Sequence, residues 1–491
     1  FFFSRLIALR AASRSPSPSV FTPSAAMSLA DLVTVINDLS AASQFNQLLT
    51  HLQSQEEMMI QQLPQLDEVL PALRPMEHSL GMVFILKAKA AAVPLSNLQA
   101  VHTFLQQCRR LLLEGDPVQV QMVPSHFATV CAKFANAAVA IAAPAAALRP
   151  LQHAAQVLQP SPAHFTPVHT EVLRVALLAR HYPAAARLLD ASDLLEVAKE
   201  KTGVAPRDLL LYHYYAGLAC CGLHRFSDAV RYFTLCYTAP THVVHAAMVE
   251  AYKKCVLASL LATGEQPAQP KYTALPIQRY IKTGVPAYSE LAEAFATRSP
   301  AELRSAITKH EATFARDRNL GLARQCVGAL VRRSIRSLTQ AYLTLSLADI
   351  AAAAQLESPA EAEGHVVAMV AAGDISATID EPQGMVHFSE SADAFDSPGA
   401  VAAMEASISG AIGVATKLQA AQAFGNASSP PSPPALSFLA RFCTDPTSRN
   451  LLGTLLQAMH AQLCTDSQYL SRVMRERVQS RWEDDGMGMG K

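Results

Sequence analysis

The sequence predicts a mainly α-helical protein: stacked helical repeats lead into a winged helix with a small β-wing, and further helices follow. Three observations predict this class. The composition is rich in Ala and Leu and holds only 20 Gly in 491 residues, which favours helix over sheet. Apolar residues recur at helical spacing almost throughout residues 27–345. The spacing then changes to strand-like alternation near residues 375–388.

We predict four parts along the chain. They are an unstructured leader (residues 1–26), N-terminal helical repeats (27–210), a domain with a helical part (211–343) and a winged helix (344–392), and C-terminal helices (393–491) interrupted by a Pro/Ser-rich linker (425–435). The leader carries Arg5, Arg10 and Arg14 and no acid, as transit peptides do. Because Met27 opens the first amphipathic stretch, we interpret the leader as upstream or unstructured sequence rather than as a targeting signal.

Three similar pieces predict the repeats. "AAALRPL", "AAARLLD" and "DAVRYFT" begin at Ala145, Ala184 and Asp228, a spacing of about 40 residues that is typical of helix-hairpin repeats. In the third repeat, Gly217 and Ala229 are small enough for close helix approach, and Phe233 is large enough to fill the groove. Hairpins of this size cannot bury their apolar faces alone, so the sequence predicts a tetratricopeptide-like solenoid.

The winged helix is predicted from its helix-capping residues, its turns and the alternation of its last segments. Helices continue to "LTLS", which ends at Ser346, and "LADIAAAAQL" forms a short helix. Ser358 and Glu361 are spaced as a capping box, with Pro359 at the first helical position. The helix that they open reaches Gly373, a plausible C-cap. "ISATID" and "MVHF" then alternate around a turn and form a two-stranded wing.

Charge argues against DNA as the ligand of this winged helix. Between Thr344 and Glu390 there are eight acids and no Lys or Arg, whereas DNA binding needs cations to neutralise phosphates. The preceding segment, residues 301–340, is basic and carries Arg332, Arg333 and Arg336 on one side of a helix. These three form either a solvated face, a face that pairs with the acidic module, or a possible anion or partner face. The whole chain has no net charge.

The sequence predicts no catalytic, cofactor-binding or metal-binding residues. "HEATF" at His310 has Phe314 where a zinc protease needs its second His, and no His-x-His pair occurs. His242 and His245 lack nearby Cys or carboxylate partners. The nine Cys form no CxxC pair, and Gly-rich nucleotide-binding motifs are absent. No segment has the length and apolar character of a membrane helix.

Two groups of motifs carry a resemblance to a known family. "LTLSLADIAAAAQL" and "EAEGHVVAMVAAGDISATIDEPQGMVHF" resemble the end of a PCI domain, which occurs in the proteasome lid, the COP-nine signalosome and the translation initiation factor three complex. Upstream, "MEHSLG", "YHYYAGLACCGLHRFSDAVRYF", "EAYKKCVLASLLATG" and "ITKHEATFARDRNLGLARQC" resemble the third subunit of the COP-nine signalosome. The resemblance covers residues 27–390.

The resemblance implies a scaffold without catalytic residues. In such complexes winged helices associate edge to edge, and a zinc protease in another subunit removes a ubiquitin-like modifier from cullins. The implied partners are other PCI subunits, the metalloprotease subunit and, indirectly, cullin-RING ligases, with no DNA or membrane, in cytoplasm and nucleus. The predicted protein-interaction residues of the wing are Ile375, Ile379, Asp380, Gly384, Met385, Val386 and Phe388.

Two alternatives to this function stay open. A PCI scaffold subunit of the proteasome lid shares the same architecture. A nucleic-acid-binding winged-helix protein would rely on the wing and on the arginine face.

Overall fold

A computed structural model describes residues 29–92, 97–191, 197–241, 243–380, 382–389 and most positions between 401 and 416. The predicted leader, the Pro/Ser-rich linker and the predicted final helices lie outside the described residues. The chain divides into two compact units, Phe1–Tyr215 and Ala216–Lys491, and the division falls inside a helix.

The first unit is helical throughout its described part. Its helices are α1 Leu29–Ala41, α2 Phe45–Ser54, α3 Glu56–Gln61, α4 Leu63–Val69, α5 Pro75–Ala92, α6 Leu98–Glu114, α7 Pro117–Met122, α8 Pro124–Ala140, α9 Pro144–Leu158, α10 Pro167–Leu178, α11 Tyr182–Ala191 and α12 Lys199–Thr202, with a 3₁₀ turn at Leu70–Ala72. Helix α13, Pro206–Gly222, contains the division between the units. Helix α5 is buried on nearly all sides, since "LGMVFIL" at its centre is entirely buried, so it forms the core around which α6 and α8 pack.

The described part of the second unit contains helices and one small sheet. Its elements are α14 Phe226–Tyr237, α15 Ala246–Ala262, α16 Leu275–Gly284, α17 Pro286–Ala296, α18 Pro300–Lys309, α19 Glu311–Arg316, α20 Leu320–Thr339, β1 Thr344–Ser346, α21 Leu347–Ala353, α22 Pro359–Ala371, β2 Ala377–Asp380 and β3 Met385–Phe388. The predicted mainly α fold with a small wing is confirmed.

The third predicted repeat is confirmed in atomic detail. Ala229 and Phe233 are fully buried, and a Cβ placed on Gly217 would lie 2.5 Å from Cε1 of Phe233. Such a distance is far below van der Waals contact. Gly217 therefore lets α13 approach the Phe233 ring closely, as its place in the sequence pattern indicates.

Many turns between helices contain a residue other than glycine in the left-handed backbone conformation. The positive-φ positions between described helices are Ser43, Ala142, Arg180, His224, Arg298, Arg318 and Gln355. In the turn after α10, the amide of Arg180 donates to Leu177, and the amide of His181 donates to the carbonyl of Ala176 at 2.8 Å. These bonds form a Schellman closure, which satisfies the last carbonyls of the helix. The repeats therefore turn tightly without the glycine that sequence patterns usually use to mark a helix end.

A buried ionic network joins three helical segments of the second unit. Lys253 on α15 lies 2.8 Å from both Glu250 and Asp317, and the Tyr288 hydroxyl donates to Asp317 at 3.0 Å. The Asn319 amide in turn donates to the Tyr288 oxygen at 2.7 Å. Burial alone would raise the pKa of Asp317, but its hydrogen bonds from Lys253 and Tyr288 outweigh burial and lower that pKa below 3.8.

The sheet corrects two sequence predictions. Its strand order is β1-β3-β2 with both pairs antiparallel, so the wing has three strands rather than two. The segment "LTLS", predicted as the end of a helix, supplies the third: α20 ends at Thr339 and residues 344–346 form β1. Thr344 and Ser346 flank a single inward residue, Leu345, and a three-residue strand is too short to alternate recognisably.

Candidate assembly surface of the winged helix

The two short helices of the winged helix begin at serine caps. The Ser346 hydroxyl accepts from the amide of Asp349 at 3.1 Å, and the Ser358 hydroxyl accepts from the amide of Glu361 at 3.2 Å. The predicted cap at Ser358 with Pro359 at the first position is confirmed. The Glu361 carboxylate reaches back to the amide of Glu357, one residue before the cap, rather than to Ser358 itself.

One apolar cluster holds the sheet against the helices. Its buried members come from α20, α21 with its C-cap residue Ala354, α22 and β3: Val331, Ile335, Ile350, Ala351, Ala354, Ala362, Val366, Met369, Val386 and Phe388. Ile375, Ala377 and Ile379 pack against this cluster, which confirms that they share one face. Helix α22 ends at Ala371, and Gly373 follows in the left-handed conformation, as its predicted capping role requires.

Hydrogen bonding leaves β2 with an open edge. The Phe388 amide donates to Leu343 at 2.7 Å and the Ser389 amide donates to Ser376 at 2.9 Å, so alternate residues of β3 face β1 and β2. By the antiparallel alternation, Ala377 and Ile379 direct their N–H and C=O groups away from β3. No strand within the described residues pairs with that side of β2. This edge can accept a strand from another protein.

The predicted wing residues therefore divide by position. Met385, Val386 and Phe388 lie on the central strand, whose backbone groups face β1 and β2, and Val386 and Phe388 are buried. Gly384 has φ +63° in the turn, and its carbonyl accepts from Leu347. Ile379 and Asp380 lie on the open strand, while Ile375 precedes it. Sequence reasoning grouped all seven because alternation alone does not distinguish a central strand from an edge strand.

Besides the apolar cluster, an ion pair joins the acidic winged helix to the basic helix before it. Arg336 on α20 lies 2.7 Å from the carboxylate of Asp374, which follows α22. Both side chains remain partly exposed, so the pair contributes at most about 1 kcal/mol. Of the alternatives for the arginine face, Arg336 thus pairs with the acidic module.

The other two predicted arginines face elsewhere. The Arg333 guanidinium lies against Gly264, which has φ +75°, and its Nη1 occupies the space that a Cβ at that glycine would fill. Arg332 lines a cleft with Arg324. The three arginines therefore do not form a single anion site, because each one faces a different part of the second unit.

A second surface follows the winged helix. The described residues between 401 and 416 are helical, and Val401, Met404, Ile408 and Ile412 are 49–61% exposed. Their spacing of three or four residues places them on one side of the helix. An exposed apolar stripe of this kind is a candidate interaction surface. The amphipathic character of this stretch was predicted, although its last residues lie outside the described part of the chain.

Several sites considered from the sequence have structural explanations. His310 lies 2.7 Å from Glu290, and Phe314 is fully buried against Tyr288. The His245 side chain caps α15 by accepting from the amide of Ala247, whereas His242 is outside the described residues. Across the part of the chain that the structure describes, no group of three or more His, Cys, Asp or Glu side chains could hold a metal ion. None of the described helices has the length and apolarity needed to cross a membrane.

Helical repeats followed by an acidic three-stranded winged helix define a PCI-domain protein. The family description "PCI domain" matches residues 307–390, and "COP9 signalosome complex subunit 3, N-terminal helical repeats" matches residues 42–277. The chain is 32% identical to "COP9 signalosome complex subunit 3" of Arabidopsis thaliana over 85% of its own length and 86% of the relative. It is 30% identical to the Drosophila melanogaster protein of the same description, over 75% and 86% of the two chains.

The chain belongs to the family of COP9 signalosome complex subunit 3. The alternative assignment to the proteasome lid is therefore not retained.

Proposed function

We propose that this protein is a non-catalytic scaffold subunit of the signalosome, in nucleus and cytoplasm, and that it supports cullin deneddylation by holding other subunits in place. The observation that carries the proposal is the open edge of β2 on an acidic winged helix. The partners are other PCI subunits and the metalloprotease subunit, with cullin-RING ligases as indirect partners. The chain's contribution is structural, since its winged helix offers backbone groups to a neighbour and the helix at residues 401–416 offers an apolar stripe.

The open edge supports a strand-to-strand contact with a neighbouring PCI subunit. Ala377 and Ile379 offer backbone donors and acceptors outward, while their side chains pack on the winged-helix core. A partner strand would gain these hydrogen bonds without rearranging the core. Because main-chain groups make this contact, it needs no cation at the surface, in agreement with the absence of Lys and Arg between Thr344 and Glu390.

The alternative of nucleic-acid binding has less support. Helix α22 lies where a DNA-reading winged helix carries its recognition helix, and its sequence "PAEAEGHVVAMVA" has no Lys, Arg, Asn or Gln. Its exposed positions include Val367 and Val370. Such side chains neither neutralise phosphates nor donate to base edges.

Proline at the open edge tests the proposal. Ala377→Pro removes one outward N–H and leaves the bonds between β2 and β3 in place, as proline permits on an edge strand. Ala377→Val keeps the N–H and serves as the matched control. Both variants are co-expressed with the partner subunits, and incorporation is measured by co-purification and native mass spectrometry.

The expected result is a folded Ala377→Pro chain, with an unchanged melting profile, that enters the complex about two- to tenfold less well than Ala377→Val, as the loss of one hydrogen bond requires. Equal incorporation of the two variants would refute the strand-edge contact. Incorporation with full deneddylation activity after removal of the entire winged helix would refute the scaffold function itself.

A further inference from the structure

A small cleft lies in the second unit, apart from the open edge of the sheet. It has a volume of about 300 Å³ and is lined by His224, Phe226, Leu261, Arg324, Gln325, Gly328 and Arg332. This volume is at the lower limit for ligand sites in proteins. The cleft can therefore hold one large side chain together with the residues next to it in sequence, and it is too small for a nucleic-acid duplex.

Helix α20 forms the cationic wall of the cleft. Arg324, Gly328 and Arg332 are spaced four residues apart, so they lie on one side of the helix. A Cβ at Gly328 would meet no atom within 4 Å. The missing side chain leaves open space between two arginines that are about 12 Å apart along the helix axis.

The opposite wall is apolar. Phe226 begins α14, and Leu261 lies at the end of α15. His224, in the left-handed conformation with φ +59°, forms the turn that presents Phe226. An occupant of this cleft thus needs a flat apolar group for the Phe226 side and carboxylates for the arginine side.

The ion pairs of the described residues leave Arg324 and Arg332 able to bind another carboxylate. Arg324 lies 2.9 Å from Glu311, but the two side chains are 65% and 48% exposed. Such a surface pair is weak and exchanges readily for a better placed carboxylate. Arg332 is exposed, and no carboxylate of the described residues forms an ion pair with it.

The chain itself contains a segment with the required chemistry. Trp482, the only tryptophan, is followed by Glu483, Asp484 and Asp485, the only run of three consecutive acids in the sequence. These four residues lie outside the described part of the chain. The sequence between Thr416 and Trp482 is long enough to reach the cleft, because each extended residue spans about 3.5 Å. Because the segment belongs to the same chain, its docking is intramolecular, and the tether raises its effective concentration at the cleft.

We propose that the cleft docks residues 482–485, with the indole ring against Phe226 and Leu261 and the carboxylates at Arg324 and Arg332. Guanidinium groups bind carboxylates through paired hydrogen bonds and also stack on indole rings. A free phosphate or an acidic peptide of another protein would satisfy only the arginines or would lack the tether. The inference is independent of the strand-edge contact.

The single tryptophan makes the proposal directly measurable. In the full chain, acrylamide quenching of the intrinsic fluorescence reports the accessibility of Trp482 alone. We expect Trp482 in the native chain to be quenched at least twofold less than in a synthetic peptide of residues 479–488. The double variant Arg324→Glu with Arg332→Glu should raise quenching to the peptide value, and Gly328→Leu, which fills the cleft without a change of charge, should do the same.

A matched double variant controls for charge. Arg279→Glu with Arg304→Glu changes the same charge at exposed positions outside the cleft and should leave quenching unchanged. Excess peptide in which Trp482 is replaced by Phe should release the tethered segment, whereas inorganic phosphate at the same concentration should not. Release by phosphate alone would overturn the role of the indole.

A cross-link extends the test to the assembled complex. A photoreactive benzoylphenylalanine in place of Trp482 should couple to peptides that contain Phe226 or Gly328. Quenching that is identical in native, cleft and control chains would overturn the proposal, as would cross-links confined to other subunits.

Discussion

Gly217→Ala tests whether close helix approach, rather than helix propensity, determines the stability of the third repeat. In an exposed helix interior this change stabilises by about 1 kcal/mol, because glycine loses more backbone entropy than alanine. At Gly217 the added methyl would lie 2.5 to 2.8 Å from three atoms of the Phe233 ring. That ring is fully buried and cannot swing into solvent, so overpacking costs about 1–3 kcal/mol. The net expectation is a loss of up to about 2 kcal/mol.

Gly328→Ala is the matched control, since Gly328 lies inside α20 with no atom near its missing side chain. We expect it to stabilise by about 1 kcal/mol. Urea unfolding of the full chain, followed by far-ultraviolet circular dichroism, measures both changes. Adding Phe233→Leu to Gly217→Ala should recover part of the loss, with a coupling energy of at least 1 kcal/mol. Equal stabilisation by both glycine substitutions, or strict additivity of the double variant, would refute the reasoning.

Three further predictions concern stability. Ala142→Gly should stabilise by about 1 kcal/mol in thermal unfolding because residue 142 has φ +57°, whereas Ala128→Gly inside α8 should destabilise by a similar amount. Phe388→Asp should unfold the winged helix at a cost above about 4 kcal/mol, since Phe388 is only 8% exposed, as hydrogen exchange would show. Asp317→Asn should lower the free energy of unfolding by about 3 kcal/mol at neutral pH. Because the folded pKa of Asp317 is below 3.8, the contribution of its carboxylate to stability is lost as pH falls through that pKa. The difference in unfolding free energy between the native and variant chains should therefore close in acid denaturation curves. A gap that persists at low pH would contradict this.

The sequence predicted the helical class and the order of elements because both depend on local periodicity. The Gly217–Phe233 contact was also predictable, since only a residue without a side chain permits that approach and only a large ring fills the groove. The tight turns were less visible. His224 and Gln355 adopt the left-handed conformation although neither is glycine, so their residue types do not predict a turn at these positions. Tertiary packing, rather than local preference, holds these residues there.

The sequence predicted the secondary-structure elements of the candidate site but not how those elements pair and pack. Alternation placed Ile375 and Ile379 on one face, and the caps at Ser346 and Ser358 follow from local hydrogen-bonding rules. Which strand lies at the edge depends on pairing between β1 and β3, which are separated by two helices and β2 in the sequence. Likewise, the helical spacing of the arginines is local, but the separate surroundings of Arg332 and Arg336 arise from neighbouring elements.

The small size of the open edge limits what it can contribute to assembly. Ala377 and Ile379 together offer two donors and two acceptors, and each hydrogen bond contributes only about 0.5–1.5 kcal/mol net. Their sum is comparable to the entropic cost of association, so the edge alone supports weak binding at most. The apolar stripe of Val401, Met404 and Ile408 supplies the area that the edge lacks. Two modest contacts on one chain reinforce each other through effective concentration. In the proposed assembly the edge would set the register of the neighbour, and the stripe would provide most of the affinity.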